Sequence, residues 1–143
     1  MSEAAGAIVL AGRILIGGYF IVFAGILGHI LTSKGMEQYA GAMRFPVPAI
    51  AGWPTGIWLV LGGISVTFGI WGDLGSLMII AFLLLAAAWF HRFWEAGEDQ
   101  KMLQTGFFWR NILGTAGLLI LFAVFADLGP ELPYTLTDPL LSF

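Results

Sequence analysis

Two histidines are the side chains of this sequence best suited to binding a cofactor. His29 and His91 stand near the ends of two different apolar runs, and the predicted topology places both at one end of the molecule. Histidines on two helices can ligate a haem axially or share one metal ion. No Asp or Glu stands inside an apolar run to complete a ligand set. Because interfacial histidines more often only form hydrogen bonds, we expect neither a haem nor a bound metal.

Quinone binding is the second kind of chemistry that the residue types allow. A quinone site needs an apolar cleft that opens to lipid, together with a few polar groups for the quinone carbonyls. Arg92 is available at the end that holds the histidines, and the principal candidates there are His29, Tyr39, His91, Trp94 and Asn111. Such residues occur at the interface of any membrane protein. Quinone binding is therefore an alternative that the sequence leaves open.

Other classes of chemistry have no support in the residue pattern. The chain contains no cysteine, which excludes disulfides, thiolate catalysis and cysteine-ligated iron–sulfur clusters. The serines and threonines show no nucleophile–base spacing, so no catalytic residue is predicted. The net charge is −3 and no basic stripe is present, which argues against nucleic acid as a partner.

The composition determines what kind of element positions these residues. The 143-residue chain is 59% hydrophobic and only 10% charged. A soluble domain carries roughly 25% charged residues, so too few charges remain here to cover a globule. The sequence therefore predicts an integral membrane protein, with residues 1–143 forming one domain in a lipid bilayer.

Four apolar runs account for most of the chain. A spanning helix needs about 20 mostly apolar residues, and lipid forces every backbone group to bond within the protein. The predicted spans are 7–31, 55–71, 74–90 and 107–126, joined by loops at 32–54 and 91–106 and by a tight turn at Gly72-Asp73. The predicted fold class is all-α, a four-helix transmembrane bundle.

The loops and the end of the chain have their own patterns. Apolar residues recur at helical spacing in the first loop, at Met36, Tyr39, Ala40 and Met43. This pattern predicts a short helix that lies in the membrane interface. The tail at 127–143 is acidic and contains three prolines, which argues against a fifth helix. Its apolar residues Leu140, Leu141 and Phe143 are candidates for docking on the membrane or on a neighbour.

The orientation follows from the distribution of Lys and Arg in short loops. The two longer loops and the adjoining helix end carry most of the basic residues, namely Lys34, Arg44, Arg92, Lys101 and Arg110. The bias predicts that these loops face the cytoplasm and that both termini lie outside, in the cytoplasmic (inner) membrane of a prokaryote.

Apart from Arg110, which stands near the start of the span 107–126, Arg13 is the only charged residue inside a predicted span. A charge at the centre of a span costs about 2.5–3.5 kcal/mol on insertion scales, so it is normally paired. Asp73 and Asp127 are predicted on the same side of the membrane. We expect Arg13 to form an ion pair with one of them, and the alternative is that Arg13 binds an anionic or carbonyl-bearing headgroup.

The acidic group Glu95, Glu98 and Asp99 lies in the predicted 91–106 loop. Its simplest interpretation is a solvated loop. The functional alternative is a docking surface for a soluble or peripheral partner.

The order of several motifs resembles the DoxX family of small four-helix membrane proteins. These motifs read GRILIGGYFIVFAGILGHI, MEQYAGAMRFPVPAIAG, HRFWE and FFWRN, and the resemblance covers roughly residues 12 to 122. The positions that match the family pattern are Arg13, Gly25, Pro46, Pro48, Gly62, Gly63, Phe93-Trp94 and Arg110-Asn111. The sequence departs from the family at His29, where relatives often have a lysine, and at Leu59, where they often have an acid.

The resemblance implies a class of function without a defined activity. Some relatives are described as subunits of a thiosulfate:quinone oxidoreductase, and others are linked to membrane complexes that handle oxidative stress. The resemblance thus favours an accessory subunit of a larger, redox-linked membrane complex, with other membrane subunits as partners. The alternative is a quinone-interacting oxidoreductase component in its own right. A solute carrier or channel is disfavoured because no predicted span carries a polar stripe.

Overall fold

The computed structural model describes residues 1–142, and Phe143, a predicted docking residue, lies outside the described residues. Five helices make up most of the chain. They are α1 (Glu3–Ile30), α2 (Ser33–Ala42), α3 (Trp53–Phe68), α4 (Gly72–Phe90) and α5 (Glu98–Leu128), with short 3₁₀ turns at Pro48–Ala51 and Gly129–Glu131. Residues 1–142 contain no strand, which confirms the all-α fold class.

Three helices, α1, α4 and α5, are long and apolar enough to cross a membrane. The helix α3 is also apolar but has only 16 residues. Its length is limited by Trp53-Pro54 at its start, where proline fixes φ, and by Gly69, whose left-handed φ of +63° ends it. An apolar helix thus forms within each predicted span, and the count of four membrane crossings stays a prediction for α3.

The largest differences from the predicted helix boundaries are at the starts of α1 and α5. The first helix starts at Glu3, because Ser2 Oγ accepts a hydrogen bond from the Ala5 N–H at 3.3 Å and caps it. The predicted loop at 91–106 is too long and is corrected here, since the chain is helical from Glu98 onward. Glu98 and Asp99 place negative charge in the first turn of α5, where the helix dipole favours it.

Two helices contain a segment in which the backbone hydrogen bonds run from residue i to i+5. One segment is Tyr19–Ile30 in α1 and the other is Ala86–Phe90 in α4. The wider turn continues past the first segment, since Leu31 N–H donates to the Ile26 carbonyl at 2.9 Å. Such wide segments are rare in proteins, and those that occur often lie at functional sites. Neither segment is indicated by the residue pattern of the sequence.

Glycines bring α1 and α3 close together. A Cβ atom added at Gly17 would lie 2.5 Å from the Gly63 carbonyl oxygen, and one at Gly63 would lie 2.7 Å from the Gly17 carbonyl oxygen. No side chain fits between two backbones at these separations, so small residues are required here. The helix α3 also packs against α4, and α4 packs against α5.

The residues after α5, 129–142, form a tail that crosses the turn between α3 and α4. The Leu136 and Thr137 N–H groups donate to the Gly69 carbonyl at 3.2 and 3.1 Å. Leu132 anchors the tail in the core with only 2% of its surface exposed. The tail holds no helix beyond the turn Gly129–Glu131 within the described part of the chain, as its prolines and acids predicted. Leu140 and Leu141 keep exposed side chains.

Candidate functional site

The polar residues of the protein gather at two opposite ends of the helices. The first end holds Arg13, which is fully buried (0% exposed). Its Nε donates to the Val66 carbonyl at 3.0 Å and its Nη2 donates to the Thr67 carbonyl at 3.0 Å. The tail supplies two more acceptors, the carbonyls of Pro133 at 3.5 Å and Tyr134 at 2.9 Å. Arg13 therefore joins three separate parts of the chain.

These contacts follow from the way a helix ends. The last four carbonyls of any α-helix have no partner within it. In α3 two of them, at Val66 and Thr67, accept from Arg13, and the Phe68 carbonyl accepts from the Leu136 N–H at 3.2 Å. A cation also interacts favourably with the negative end of the helix dipole. Arg13 thus stabilises the end of α3 in place of water.

This geometry corrects the predicted ion pair. Within residues 1–142 no salt bridge joins Arg13 to Asp73 or to Asp127. Asp73 is buried, and its Oδ2 instead accepts from the N–H groups of Leu140 at 3.0 Å and Leu141 at 2.8 Å. Asp127 is exposed on α5. Backbone groups of α3 and the tail take the place of the expected carboxylate.

The opposite end contains a mainly apolar cavity of about 300 Å³. Four of the five predicted quinone-site residues line it, namely His29, Tyr39, His91 and Asn111. Both wide segments also line it, through residues that include Phe20, Phe23, Ala86 and Phe90. The helices α1 and α5 meet at the other end of the molecule, where Arg13 lies 5.3 Å from the Phe125 ring centroid. The cavity lies at the end that holds His29 and is lined mainly by residues of α1, α2, α4 and α5.

Three residues that line the cavity are also exposed on the surface of the helices. They are Tyr19, Phe23 and Leu85. All three belong to apolar helices long enough to cross a membrane. An opening at these residues would therefore face lipid.

His29 is held in a fixed orientation at the wall of the cavity. Its Nδ1 lies 2.7 Å from the Ala51 carbonyl oxygen, and its ring meets the Phe82 ring edge-to-face with centroids 5.5 Å apart. A carbonyl only accepts hydrogen bonds, so Nδ1 carries the proton that it donates. The second ring nitrogen is left for another partner.

His91 and Tyr39 lie at the polar rim of the same cavity. His91 Nδ1 is 3.0 Å from Gln104 Oε1, and the Tyr39 hydroxyl donates to the Phe90 carbonyl at 3.4 Å. Burial lowers the pKa of His91; the Gln104 hydrogen bond opposes this shift, and the positive charge of Arg110 adds to it. Burial also raises the pKa of Tyr39, so its hydroxyl stays protonated.

Among the described residues, the side chain of Asn111 lacks a hydrogen-bond partner. It is 6% exposed, and its backbone carbonyl accepts from Thr115. In residues 1–142 only Thr67 Oγ1 and Asp73 Oδ1 are both unpartnered and sealed from open space. The Asn111 amide is therefore unpartnered but reachable, and the cavity is the space that it adjoins.

The other predicted residues lie outside this cavity. Trp94 is exposed in the 91–97 loop, with its ring 5.1 Å from Phe93 and 5.8 Å from Phe108. Glu95 pairs with Arg92 at 3.0 Å and Glu98 with Lys101 at 3.6 Å, and these acids, like Asp99, face solvent.

A second cavity of about 470 Å³ adjoins the first. It is lined by polar residues that include Arg44, Arg92 and Gln104, and both cavities share Phe90. Gln104 thus lines the second cavity while its amide oxygen bonds to His91 in the first. Gln104 was not predicted as a site residue, because its residue type does not indicate that its side chain contacts two cavities.

No group of three or more His, Asp or Glu comes together as a metal site within residues 1–142.

Comparison with known proteins gives one match. The model of the DoxX family matches residues 8–92, more than half of the chain. No curated protein and no solved structure matches. The matched region contains His29, Tyr39 and His91, while Asn111 lies beyond it.

Proposed function

The chain belongs to the DoxX family, and from that premise we propose that it is a membrane subunit of a redox-linked assembly which binds a quinone headgroup. The site is the cavity lined by His29, Tyr39, His91 and Asn111. The single observation that carries the proposal is the Asn111 amide, which is 6% exposed, unpartnered among the described residues and adjacent to the cavity.

A buried polar group without a hydrogen bond costs about 1–3 kcal/mol. A ligand carbonyl that accepts from the Asn111 amide would remove that cost. The walls on either side are aromatic, with Phe20, Phe23, Phe82 and Phe90 around the polar groups. A flat ring with polar oxygens suits a mainly apolar pocket with a few fixed polar groups. The cavity volume of about 300 Å³ lies at the small end of the range for ligand pockets.

The lining residues that are exposed on apolar helices favour a ligand that is dissolved in the membrane. A quinone carries an apolar tail that stays in lipid while the headgroup enters a protein. The exposed residues Tyr19, Phe23 and Leu85 would border that tail. This arrangement requires no water-filled path for the ligand.

Calorimetric titration of the purified protein in lipid nanodiscs tests the proposal. The ligand is a tailless dimethoxymethylbenzoquinone, which avoids partition into lipid. We expect saturable binding to the native protein and a dissociation constant raised about tenfold by Asn111→Leu, the value of one lost hydrogen bond. Gln38→Leu removes a matched amide from the exposed face of α2 and leaves binding unchanged. Absence of binding to the native protein would contradict the proposal.

The accessory-subunit role rests on a different observation. Glu95, Glu98 and Asp99 form an exposed acidic edge at the start of α5, next to the second cavity. We propose that this edge docks a basic surface of a partner subunit. Purification in mild detergent should recover the native protein with defined partners, and the double change Glu98→Lys and Asp99→Lys should release them. Partners that stay bound to this variant would argue against the acidic edge.

The proposed topology has four crossings, including α3, with both termini outside the cytoplasmic membrane. It is supported by the basic residues near the cavity end, which include Lys34, Arg44 and Lys101. Reporter domains fused after residue 142 and inserted at Gly97 test it. An external signal from the first and a cytoplasmic signal from the second are expected, and the reverse pattern would overturn the topology.

A further inference from the structure

The hydrogen-bonding character of the cavity is set by the tautomers of its two histidines. His29 donates from Nδ1 to the Ala51 carbonyl at 2.7 Å. A buried charge is far more costly than a buried neutral group unless it is paired, and in the described part of the chain no carboxylate contacts His29. A neutral imidazole that donates through Nδ1 carries its lone pair on Nε2. His29 therefore offers a hydrogen-bond acceptor.

His91 has the same arrangement. Its Nδ1 faces the amide oxygen of Gln104 at 3.0 Å, and an amide oxygen accepts. The pKa of His91 is lowered by burial, and the Arg110 guanidinium lowers it as well. The neutral ring again has its lone pair on Nε2. His91 is the second acceptor that borders the cavity, and it stands on a different segment from His29.

Both Nε2 atoms lack a partner among residues 1–142 and neither is sealed from open space. Donors are fewer. The Tyr39 hydroxyl already donates to the Phe90 carbonyl, which leaves the Asn111 amide and the exposed Arg110. A ligand with two O–H groups would satisfy both imidazoles. A ligand with two carbonyls would place oxygen lone pairs against nitrogen lone pairs at those positions.

We propose that the cavity binds the reduced, dihydroxy-aromatic form of its ligand, a hydroquinone, in preference to the oxidised quinone, with O–H groups donating to His29 and His91. The inference rests on the proposed function, because it names the redox form that the same site prefers. Tighter binding of the reduced form raises the reduction potential of the bound couple. A tenfold preference corresponds to about 30 mV for a two-electron couple.

The test compares the two redox forms of one molecule on the full chain in nanodiscs. The probes are the tailless dimethoxymethylbenzoquinone and its hydroquinone, titrated calorimetrically under anaerobic conditions. We expect the hydroquinone to bind at least about tenfold more tightly, as one extra hydrogen bond to a buried acceptor requires. Equal affinity, or tighter binding of the quinone, overturns this inference and leaves the proposed function standing. Failure of both forms to bind overturns the two together.

Variants separate the imidazoles from the shape of the pocket. His91→Phe keeps an aromatic ring and removes the acceptor, so the hydroquinone should lose affinity relative to the quinone and the preference for hydroquinone should fall toward equality. Trp94→Phe changes a ring outside the cavity and should keep the preference. If His91→Phe fails to fold, as thermal unfolding would show, the comparison of the two forms on the native chain decides the question. A preference that is undiminished in a folded His91→Phe variant overturns the role of His91.

Discussion

Arg13 donates from Nη2 to the backbone carbonyl of Tyr134 at 2.9 Å, and this bond connects α1 to a segment 121 residues further along the chain. The same nitrogen also donates to the Thr67 carbonyl at the end of α3. The side chain of Arg13 thus holds the end of α3 and the tail against α1. The buried charge is accommodated by oriented carbonyl dipoles, although no counter-charge pairs with it among the described residues.

Replacing Arg13 should therefore be among the most damaging changes in the protein. Arg13→Met leaves buried carbonyls of α3 and the tail without donors, at a cost of about 3–5 kcal/mol in the free energy of unfolding. Arg13→Lys keeps the charge but loses the planar fork, so it should recover only part of the loss. Chemical unfolding in detergent measures both. Arg44→Met, an exposed control without a salt bridge in the described chain, should change little, and similar losses in the two Met variants would refute the role of Arg13.

The tail contributes to stability through one leucine. Leu132 is 2% exposed and Leu136 is 69% exposed, although both lie within the same short segment. Leu132→Ala should cost about 2–5 kcal/mol because it removes buried methyl groups and leaves a cavity. Leu136→Ala should stay within about 0.5 kcal/mol. Thermal unfolding of the pair, followed by circular dichroism, would speak against a packed tail if both variants behaved alike.

Neighbouring glycines in α1 should respond differently to alanine. A Cβ at Gly17 would collide with Thr67 Oγ1 and with the Gly63 carbonyl, whereas a Cβ at Gly18 meets nothing within 4 Å. Gly17→Ala should destabilise the α1–α3 contact by about 1–3 kcal/mol through overpacking. Gly18→Ala should be neutral or stabilising by up to about 1 kcal/mol, since alanine favours the helix. The melting temperatures of the two variants give the comparison, and equal values would contradict close packing.

The lowered pKa of His91 predicts a pH dependence of stability. Below about pH 6.5 the unfolded chain binds a proton at His91 more readily than the folded chain does. The free energy of unfolding should therefore fall as the pH drops below about 6.5, until the folded form also takes up the proton. His91→Gln should lessen this fall. Arg110→Gln should raise the pKa of His91 and reduce the fall, and melting temperatures that drop with pH identically in all three proteins would exclude the effect.

Asn111 should show opposite effects on stability and on ligand binding. Its amide has no hydrogen-bond partner in residues 1–142, so Asn111→Leu should leave the free energy of unfolding unchanged or raise it by about 1 kcal/mol in the absence of ligand. The same change should weaken quinone binding about tenfold, as proposed above. A variant that loses stability and binding together would indicate that Asn111 is a structural residue.

The sequence was sufficient for the general architecture. Long apolar runs predicted the helices, and the helical spacing of Met36, Tyr39 and Met43 predicted α2. It was less successful at the start of α5, since polar residues such as Glu98 and Gln100 suit a solvated loop and a helix equally well. The extra turns of α5 depend on dipole and side-chain interactions that hydropathy does not record.

The candidate site was only partly predictable. Residue type and shared topology selected His29, Tyr39, His91 and Asn111, which all line one cavity. The same criteria selected Trp94, which does not. The partners of Arg13 could not be predicted, because backbone carbonyls carry no signal in residue type. The wide segments could not be predicted either, since their hydrogen bonds depend on the three-dimensional path of the helices.

The distance along the chain between Arg13 and Tyr134 has a consequence for biosynthesis. Ribosomes add about 5–20 residues per second, so the 121 residues from the one after Arg13 up to and including Tyr134 take about 6–24 s to make. During that interval α1 has been translated while part of the hydrogen bonding of its arginine is still missing. A nascent chain that stops before Tyr134 would keep a guanidinium with unfilled donors. Premature termination in the tail would thus leave a signal that membrane quality-control proteases could recognise.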